Sequence, residues 1–242
     1  AMEILTSDYN VTPSLWQLSQ LPFSIRQSTR VIFDGVDVNA FTSGSPSLTP
    51  KITYGTRGME AIRAFPQFIQ EIPSIIAICP GIKIEIAGMD KINYFGSPPS
   101  NGSWKQWAVD YLSETGASKS VRWMSYLSGD EYLNWLQSSW LHIYLSEPFI
   151  PSWSLAEATL TCNKLVASEN SMCREFCIDQ KSIYVDHNQP GFLFHALKNL
   201  PWHDRDAFLK LKYDISNNYD NLKNNLSIDT SLVKWLNIIE AL

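Results

Sequence analysis

The stretch KITYGTRGMEAIRAFPQFIQEIPSIIAI, residues 51 to 78, decides the fold. It opens with a near-continuous apolar run, as in a strand buried on both faces. From residue 64 to 78 the apolar positions Phe65, Phe68, Ile69 and Ile72 recur at spacings of three and four, the period of a helix. Pro66 is tolerable because it falls in the first turn. Strand-like runs follow at 83 to 88 (KIEIAG), 120 to 125 (SVRWMS), 141 to 146 (LHIYLS), 164 to 169 (KLVASE) and 182 to 186 (SIYVD), and one precedes at 30 to 35 (RVIFDG). Helical period lies between them. WKQWAVDYLSETG (104 to 116) stops at a glycine suited to a C-cap, and GDEYLNWLQSS (129 to 139) opens with acids, which the positive end of a helix favours. Strand alternating with helix predicts an α/β chain: a Rossmann-like parallel sheet with helices on both faces, followed by C-terminal helices. Ligands of such sheets bind at the carboxyl ends of the strands.

The flanks read differently. A short helix is expected in TPSLWQLSQLP (12 to 22), with Thr12 as cap and Pro13 at the first position. FTSGSPSLTP (41 to 50) has the composition of a linker. From residue 201 onward the pattern is helical only, and the final segment carries an apolar stripe of Leu232, Trp235, Leu236 and Ile239.

At 242 residues with 45% hydrophobic content, the chain can bury a full core. Nine Trp, ten Tyr and eleven Phe exceed what a minimal core requires, so some rings are free to line a cleft or contact. A net charge of -5 provides no overall field for nucleic acid or an anionic membrane, so any phosphate site must be local. Cys79, Cys162, Cys173 and Cys177 lack zinc spacing and read as reduced thiols. No apolar run reaches the roughly 20 residues that span a bilayer. The opening AMEILTSDYN lacks the regions of a signal peptide. Its first two residues resemble a cloning scar, so the natural N-terminus is expected to be missing, and the sequons at Asn10, Asn101 and Asn225 carry little meaning.

Chemistry concentrates at two places. After the first strand of the sheet, Gly55, Arg57, Gly58 and Arg63 stand at the strand end and the start of its helix. Two guanidiniums there suit a phosphate pair, because arginine makes charge-assisted bidentate bonds to phosphate. Glycines let the backbone come close. In SWSLAEA (152 to 158), Ser154 and Glu157 have capping-box spacing. The same geometry has a functional reading: free amides of Leu155 and Ala156 cradle a phosphate while Glu157 accepts from ribose hydroxyls. Asp204 and Asp206 have the spacing of a metal-binding pair but open a helix, so capping is expected, and His142 reads as a core residue of a buried strand. His187, His195 and His203 have no partner at motif spacing, and neither a Walker loop, a dinucleotide glycine fingerprint nor a nucleophile elbow is present.

The order VIFDGVDVNAF, ITYGTRGMEAIRAFPQFIQEIP, IEIAG, VRWMSYLSGDEYLNWLQSSWLHIYLSEPF and SWSLAEA…LVAS…REF resembles the C-terminal half of a glycosyltransferase family 4 enzyme of the GT-B fold, from about residue 10 to 220. The resemblance implies a donor-binding domain. Residues 1–45 would be a remnant of the N-terminal half and interdomain linker, and 46–225 the nucleotide-sugar-binding domain. The helix in 226–242 would pack on the missing N-terminal half and leave an exposed apolar patch here. Arg57 looks like the arginine that follows the first strand of the donor domain and Arg63 stands where the family usually has a lysine; the resemblance implies that both stabilise the donor diphosphate, the catalytic assistance of this family. Gly55, Ser154, Leu155, Ala156 and Glu157 would complete the donor site, Glu157 matching the second glutamate of a Glu, seven residues, Glu pattern. Phe149 replaces the first glutamate, with Glu147 out of register, and Cys162 replaces the usual glycine after that helix.

By this resemblance the whole enzyme transfers a hexose from a UDP- or GDP-sugar to a glycan or lipid-linked acceptor, with retention and no required metal or other cofactor. The setting implied is bacterial polysaccharide biosynthesis, in the cytoplasm or at the inner face of the membrane. The chain alone would bind donor and turn over little. The alternative is a degenerate Rossmann-like domain serving as a nucleotide-binding or protein-interaction scaffold without transferase activity, which Phe149 and the surplus tryptophans motivate.

Overall fold

The computed structural model describes residues 6–94, 96–98, 102–178, 181–211 and 218–241. The sequon at Asn101 lies outside them. A two-stranded parallel ribbon of β1 (Asn10–Thr12) and β2 (Thr29–Val31) holds α1 (Leu15–Gln20) and α2 (Phe23–Arg26) between its strands. The run at 30 to 35 therefore enters this ribbon rather than the main sheet. Thr12 is a strand residue, and the cap of α1 is Ser14, whose hydroxyl accepts from Gln17 N at 3.1 Å. Glu175 reinforces that start, its two carboxylate oxygens accepting from Leu15 N and Trp16 N at 2.7 and 3.1 Å.

The main sheet contains β3 (Lys51–Gly58), β4 (Lys83–Met89), β5 (Val121–Met124), β6 (Leu141–Tyr144), β7 (Leu165–Ser168) and β8 (Ser182–Val185). All pairings are parallel, in the spatial order β5-β4-β3-β6-β7-β8. Helices α3 (Phe65–Ile78), α4 (Trp104–Glu114), α5 (Gly129–Gln137), α6 (Trp153–Thr161), α7 (Ser171–Phe176) and α8 (Phe192–Leu197) connect or follow the strands. The expected Rossmann-like architecture is thus present.

Alternate strand residues feed two cores, as the pleat requires. Ile52, Tyr54, Leu141 and Ile143 pack with Phe65, Phe68 and Ile69 of α3 on one face. Tyr144 and Ala167 pack with Leu155, Leu160 and Met172 on the other. His142 is 1% exposed and sits in the core, its Nδ1 2.9 Å from Thr53 Oγ1.

After the sheet come α9 (Arg205–Lys210), α10 (Asn218–Leu226) and α11 (Ile228–Ile239). Asp204 caps α9 by accepting from Ala207 N at 2.9 Å. The 41 to 50 segment has no regular structure but is pinned by Trp140 Nε1 to Ser47 O at 2.7 Å and by Arg205 to Pro46 O at 2.9 Å. Val36 brackets the junction of α10 and α11, donating to Leu226 O and accepting from Ile228 N. Gly35, at φ +86°, allows that approach, since a Cβ there would strike the Ile228 backbone. Ile228, Leu232, Trp235, Leu236 and Ile239 on α11 are 41 to 60% exposed, an uncovered apolar face. No helix among the described residues is long and apolar enough to cross a membrane.

Candidate functional site

In the spatial order of the sheet, β3 is followed in sequence by β4 on one side and flanked by β6 on the other, so the topological switch point lies between β3 and β6. In open α/β sheets the crevice for a ligand lies beyond the carboxyl ends of the strands at such a switch point. Arg63 and the segment after Tyr144 both stand there.

Three local features turn Arg63 inward. Strand β3 shifts register between Gly55 and Gly58, a 3-10 turn covers Ala61–Arg63, and Ala64 takes the left-handed conformation at φ +48° before α3 begins. A left-handed alanine costs about 1 to 2 kcal/mol, and complete burial of Ala64 holds it there. Tyr54 Oη, on the same strand, donates to Arg63 O at 2.8 Å and fixes the turn.

The Arg63 side chain is 9% exposed. Its Nη1 donates to Tyr144 Oη at 2.9 Å and to Ser146 Oγ at 2.8 Å. The guanidinium lies 5.7 Å from the Tyr94 ring centre and 5.9 Å from that of Tyr144. Among the described residues no carboxylate pairs with it. Burial opposes its charge, but Tyr144, Tyr94 and Tyr54 more than offset this and raise its pKa. Among the described residues this buried cation is solvated by hydroxyls and ring faces, without the countercharge that would offset its burial.

Glu60 shapes the same wall. It is 1% exposed and its Oε2 accepts from Asn93 N and Tyr94 N at 3.2 and 3.0 Å, which fixes the loop that lays Tyr94 beside Arg63. Tyr94 meets Phe149 edge-on, ring centres 5.0 Å apart. Phe149 therefore contributes a ring to the crevice wall at the place where the resemblance implies a carboxylate.

The capping box is not formed. Helix α6 is capped by Ser152, two residues before Ser154, and its hydroxyl contacts Ser154 Oγ at 2.6 Å. Glu157 thus falls in the second turn, beyond reach of the cap. The expectation of free amides at Leu155 and Ala156 is corrected too, since both donate to Ser152 O, at 3.0 and 3.4 Å. The amides of Trp153 and Ser154, two residues earlier, have no partner among the described residues.

Glu157 is half-buried. Burial raises its carboxyl above the usual range, and the Tyr132 hydroxyl beside it offsets part of that. Arg57 is exposed at the end of β3, without a partner among the described residues. The direction of a side chain at Gly55 is filled by the Trp135 ring, 3.2 Å from where a Cβ would lie, so this glycine accommodates an indole. A Cβ at Gly58 would strike Asn93 Nδ2 and Lys91 O.

Tyr94, Tyr132, Tyr144, Ser146 and Ser152 were not singled out by the sequence reading. Tyr144 and Ser146 could have been found from strand order alone, because Tyr144 ends the strand beside β3 and Ser146 follows two residues later, but strand order is not written in local periodicity.

No protein-family model and no curated protein matches the chain. Solved structures with the same fold do match. HepE (Alr3699) of Anabaena in complex with UDP-glucose superposes with a TM-score of 0.76 at 13% identity, over 100% of this chain and 66% of that one. A glycosyltransferase from Rickettsia africae gives 0.73 at 14% identity, over 96% of this chain and 62% of that one. The C-terminal domain of a glycosyl transferase group 1 family protein, LpcC of Francisella tularensis, gives 0.60 at 15% identity, over 80% of this chain and all of that domain. The chain thus spans less than two thirds of the length of the HepE and Rickettsia chains, and its fold is that of the Rossmann-like C-terminal domain of glycosyltransferases of GT-B type.

Proposed function

We propose that residues 46–225 form the donor-binding domain of a sugar-nucleotide-dependent glycosyltransferase, of family 4 type. The observation that carries this reading is Arg63: a buried guanidinium at the switch point, held by two hydroxyls and lacking a carboxylate partner among the described residues. A diphosphate supplies the missing countercharge, and charge-assisted bonds to it are worth about 1.5 to 3 kcal/mol each. Exposed Arg57 stands at the end of the same strand to meet it, and the Trp153 and Ser154 amides add the positive end of α6. Glu157, free of any capping duty, accepts from the ribose hydroxyls.

UDP is favoured over GDP because the HepE structures hold UDP, UDP with glucose, or UDP-glucose. The full-length protein would transfer a hexose to a glycan or lipid-linked acceptor with retention. Arg57 and Arg63 would stabilise the departing diphosphate without a required metal. Residues 1–45 and 226–242 would belong with a second, acceptor-binding half. The uncovered apolar face of α11 supports that part of the reading, as does a chain about two thirds as long as the HepE structures. Such an enzyme would work in the cytoplasm or at the inner face of the membrane, and this chain alone would bind donor with little turnover.

The test is calorimetric titration of the chain, Arg63→Ala and Glu157→Ala with UDP, GDP, UDP-glucose and a GDP-hexose. Saturable binding of uridine nucleotides, weakened by at least about 1.5 kcal/mol in each variant, is the expected result. No binding by any of the four to the folded chain would replace this reading with that of a scaffold for protein contacts.

A further inference from the structure

His187 follows β8 and is 6% exposed, yet no role in the donor site has so far fallen to it. Its Nδ1 lies 3.0 Å from Ser168 Oγ, at the end of β7, and its Nε2 lies 2.9 Å from Glu147 Oε1. Ser168 Oγ in turn accepts from Ser146 N at 2.9 Å. The Glu147 carboxylate only accepts, so Nε2 carries a proton toward it, and in the neutral imidazole Nδ1 then accepts from the Ser168 hydroxyl. One imidazole therefore grips both ends of the Ser146-Glu147 peptide, through Ser168 on one side and the Glu147 carboxylate on the other.

That dipeptide is what Arg63 rests on. Ser146 Oγ accepts from Arg63 Nη1 at 2.8 Å, and Glu147 N donates to Ile62 O at 2.8 Å, beside the Arg63 backbone. Asn170 Nδ2 donates to Ser146 O at 3.0 Å as a further side-chain tie on the segment. Between His187, just past β8, and the buried guanidinium, hydrogen bonds join His187 to Ser168 Oγ and Ser168 Oγ to Ser146 N, and the Ser146 residue itself carries the link covalently to its Oγ, which Arg63 grips.

We propose that His187 is a positioning residue for Arg63, holding the Ser146-Glu147 segment so that the guanidinium presents its remaining N–H groups to an anion. The inference rests on the nucleotide reading for the identity of that anion, but the wiring stands apart from it.

The test uses three variants of the chain: His187→Phe fills the space without hydrogen bonds, His187→Gln restores a donor and an acceptor, and Glu147→Ala cuts the outer tie at a half-exposed residue. Exchange of the Arg63 guanidinium protons with water, read by nitrogen-15 NMR, reports the hold on Arg63 with no ligand present. Loss of one such hold is expected to speed exchange by about tenfold in His187→Phe, with a smaller gain in Glu147→Ala and near-native exchange in His187→Gln. UDP affinity is expected to fall in the same order. Unchanged Arg63 exchange in the folded Phe and Ala variants would overturn the proposal. If His187→Phe does not fold, unchanged exchange in Glu147→Ala alone does so. Exchange that behaves as expected in a chain that fails to bind UDP would sink the nucleotide reading and leave the positioning role standing.

Discussion

Nη1 of Arg63 sits 2.8 Å from Oγ of Ser146, across 83 residues of sequence, and that hydroxyl together with Tyr144 Oη stands where a carboxylate would normally neutralise a buried guanidinium. A buried charge left to neutral partners is costly to the fold and valuable to a ligand. Arg63→Met keeps an unbranched apolar stem and removes the guanidinium and its charge. Thermal unfolding of this variant is expected at or above the native temperature, because replacing buried charge by an apolar side chain is often neutral or stabilising. UDP affinity should drop by about 1.5 kcal/mol or more. A fall in Tm of more than about 4 °C, equivalent to roughly 1 kcal/mol or more for a chain of this size, would assign Arg63 to the core instead.

Glu157 makes an opposite demand on pH from that of an ordinary paired carboxylate. Its folded pKa is raised, by burial first, with Tyr132 opposing. The folded state therefore holds the proton more tightly than the unfolded chain, and the strain of ionisation grows as pH rises through the folded value. Glu157→Gln is expected to raise Tm at neutral pH and to lose that advantage below about pH 4, near the unfolded value. Tm curves for the two proteins that run parallel from pH 4 to 8 would count against a half-buried, ionised Glu157.

His142 titrates in the other direction. Complete burial lowers its pKa to about 3, so between that value and about 6.5 the unfolded chain binds a proton that the folded chain refuses. Stability falls with falling pH across this window, by at most about 1.4 kcal/mol per pH unit. In His142→Leu, Thr53 keeps its bond to Ser139 at 2.9 Å, and differential scanning calorimetry between pH 4 and 6.5 should show a shallower loss of Tm. An unchanged slope would mean that the acid sensitivity resides elsewhere.

The face of α11 offers a test that leaves the site untouched. Leu232 and Leu236 are 54 and 53% exposed, so Leu232→Lys with Leu236→Glu should alter stability by no more than about 0.5 kcal/mol per substitution. Light scattering at rising concentration is expected to show less self-association than in the native chain, as for removal of a contact face. A large loss of Tm would show that α11 is already part of the core.

The strands from residue 51 onward were legible with boundaries within about two residues, because apolar runs and glycine turns are local signals. The same is true of α3 from Phe65 to Ile78 and of the Asp204 cap. The Glu157 question was not answerable locally. Ser154 and Glu157 have capping-box spacing, but the helix begins at Trp153 with Ser152 as cap, and spacing alone does not record where a chain first turns helical. Thr12 misled for a related reason: strand pairing with Val31 in the ribbon claimed it before it could cap.

The sequence by itself determined that strands and helices alternate, that the sheet is parallel, and that arginines and a glutamate fall near strand ends, since these depend on periodicity and on residue type. The tertiary structure decided which of them matter. Arg63 is buried and Arg57 exposed although they are six positions apart, because Tyr144, Ser146 and Tyr94 close over one of them from distant segments. Burial and countercharge are properties of neighbours brought together by folding, and no local pattern in the chain carries them.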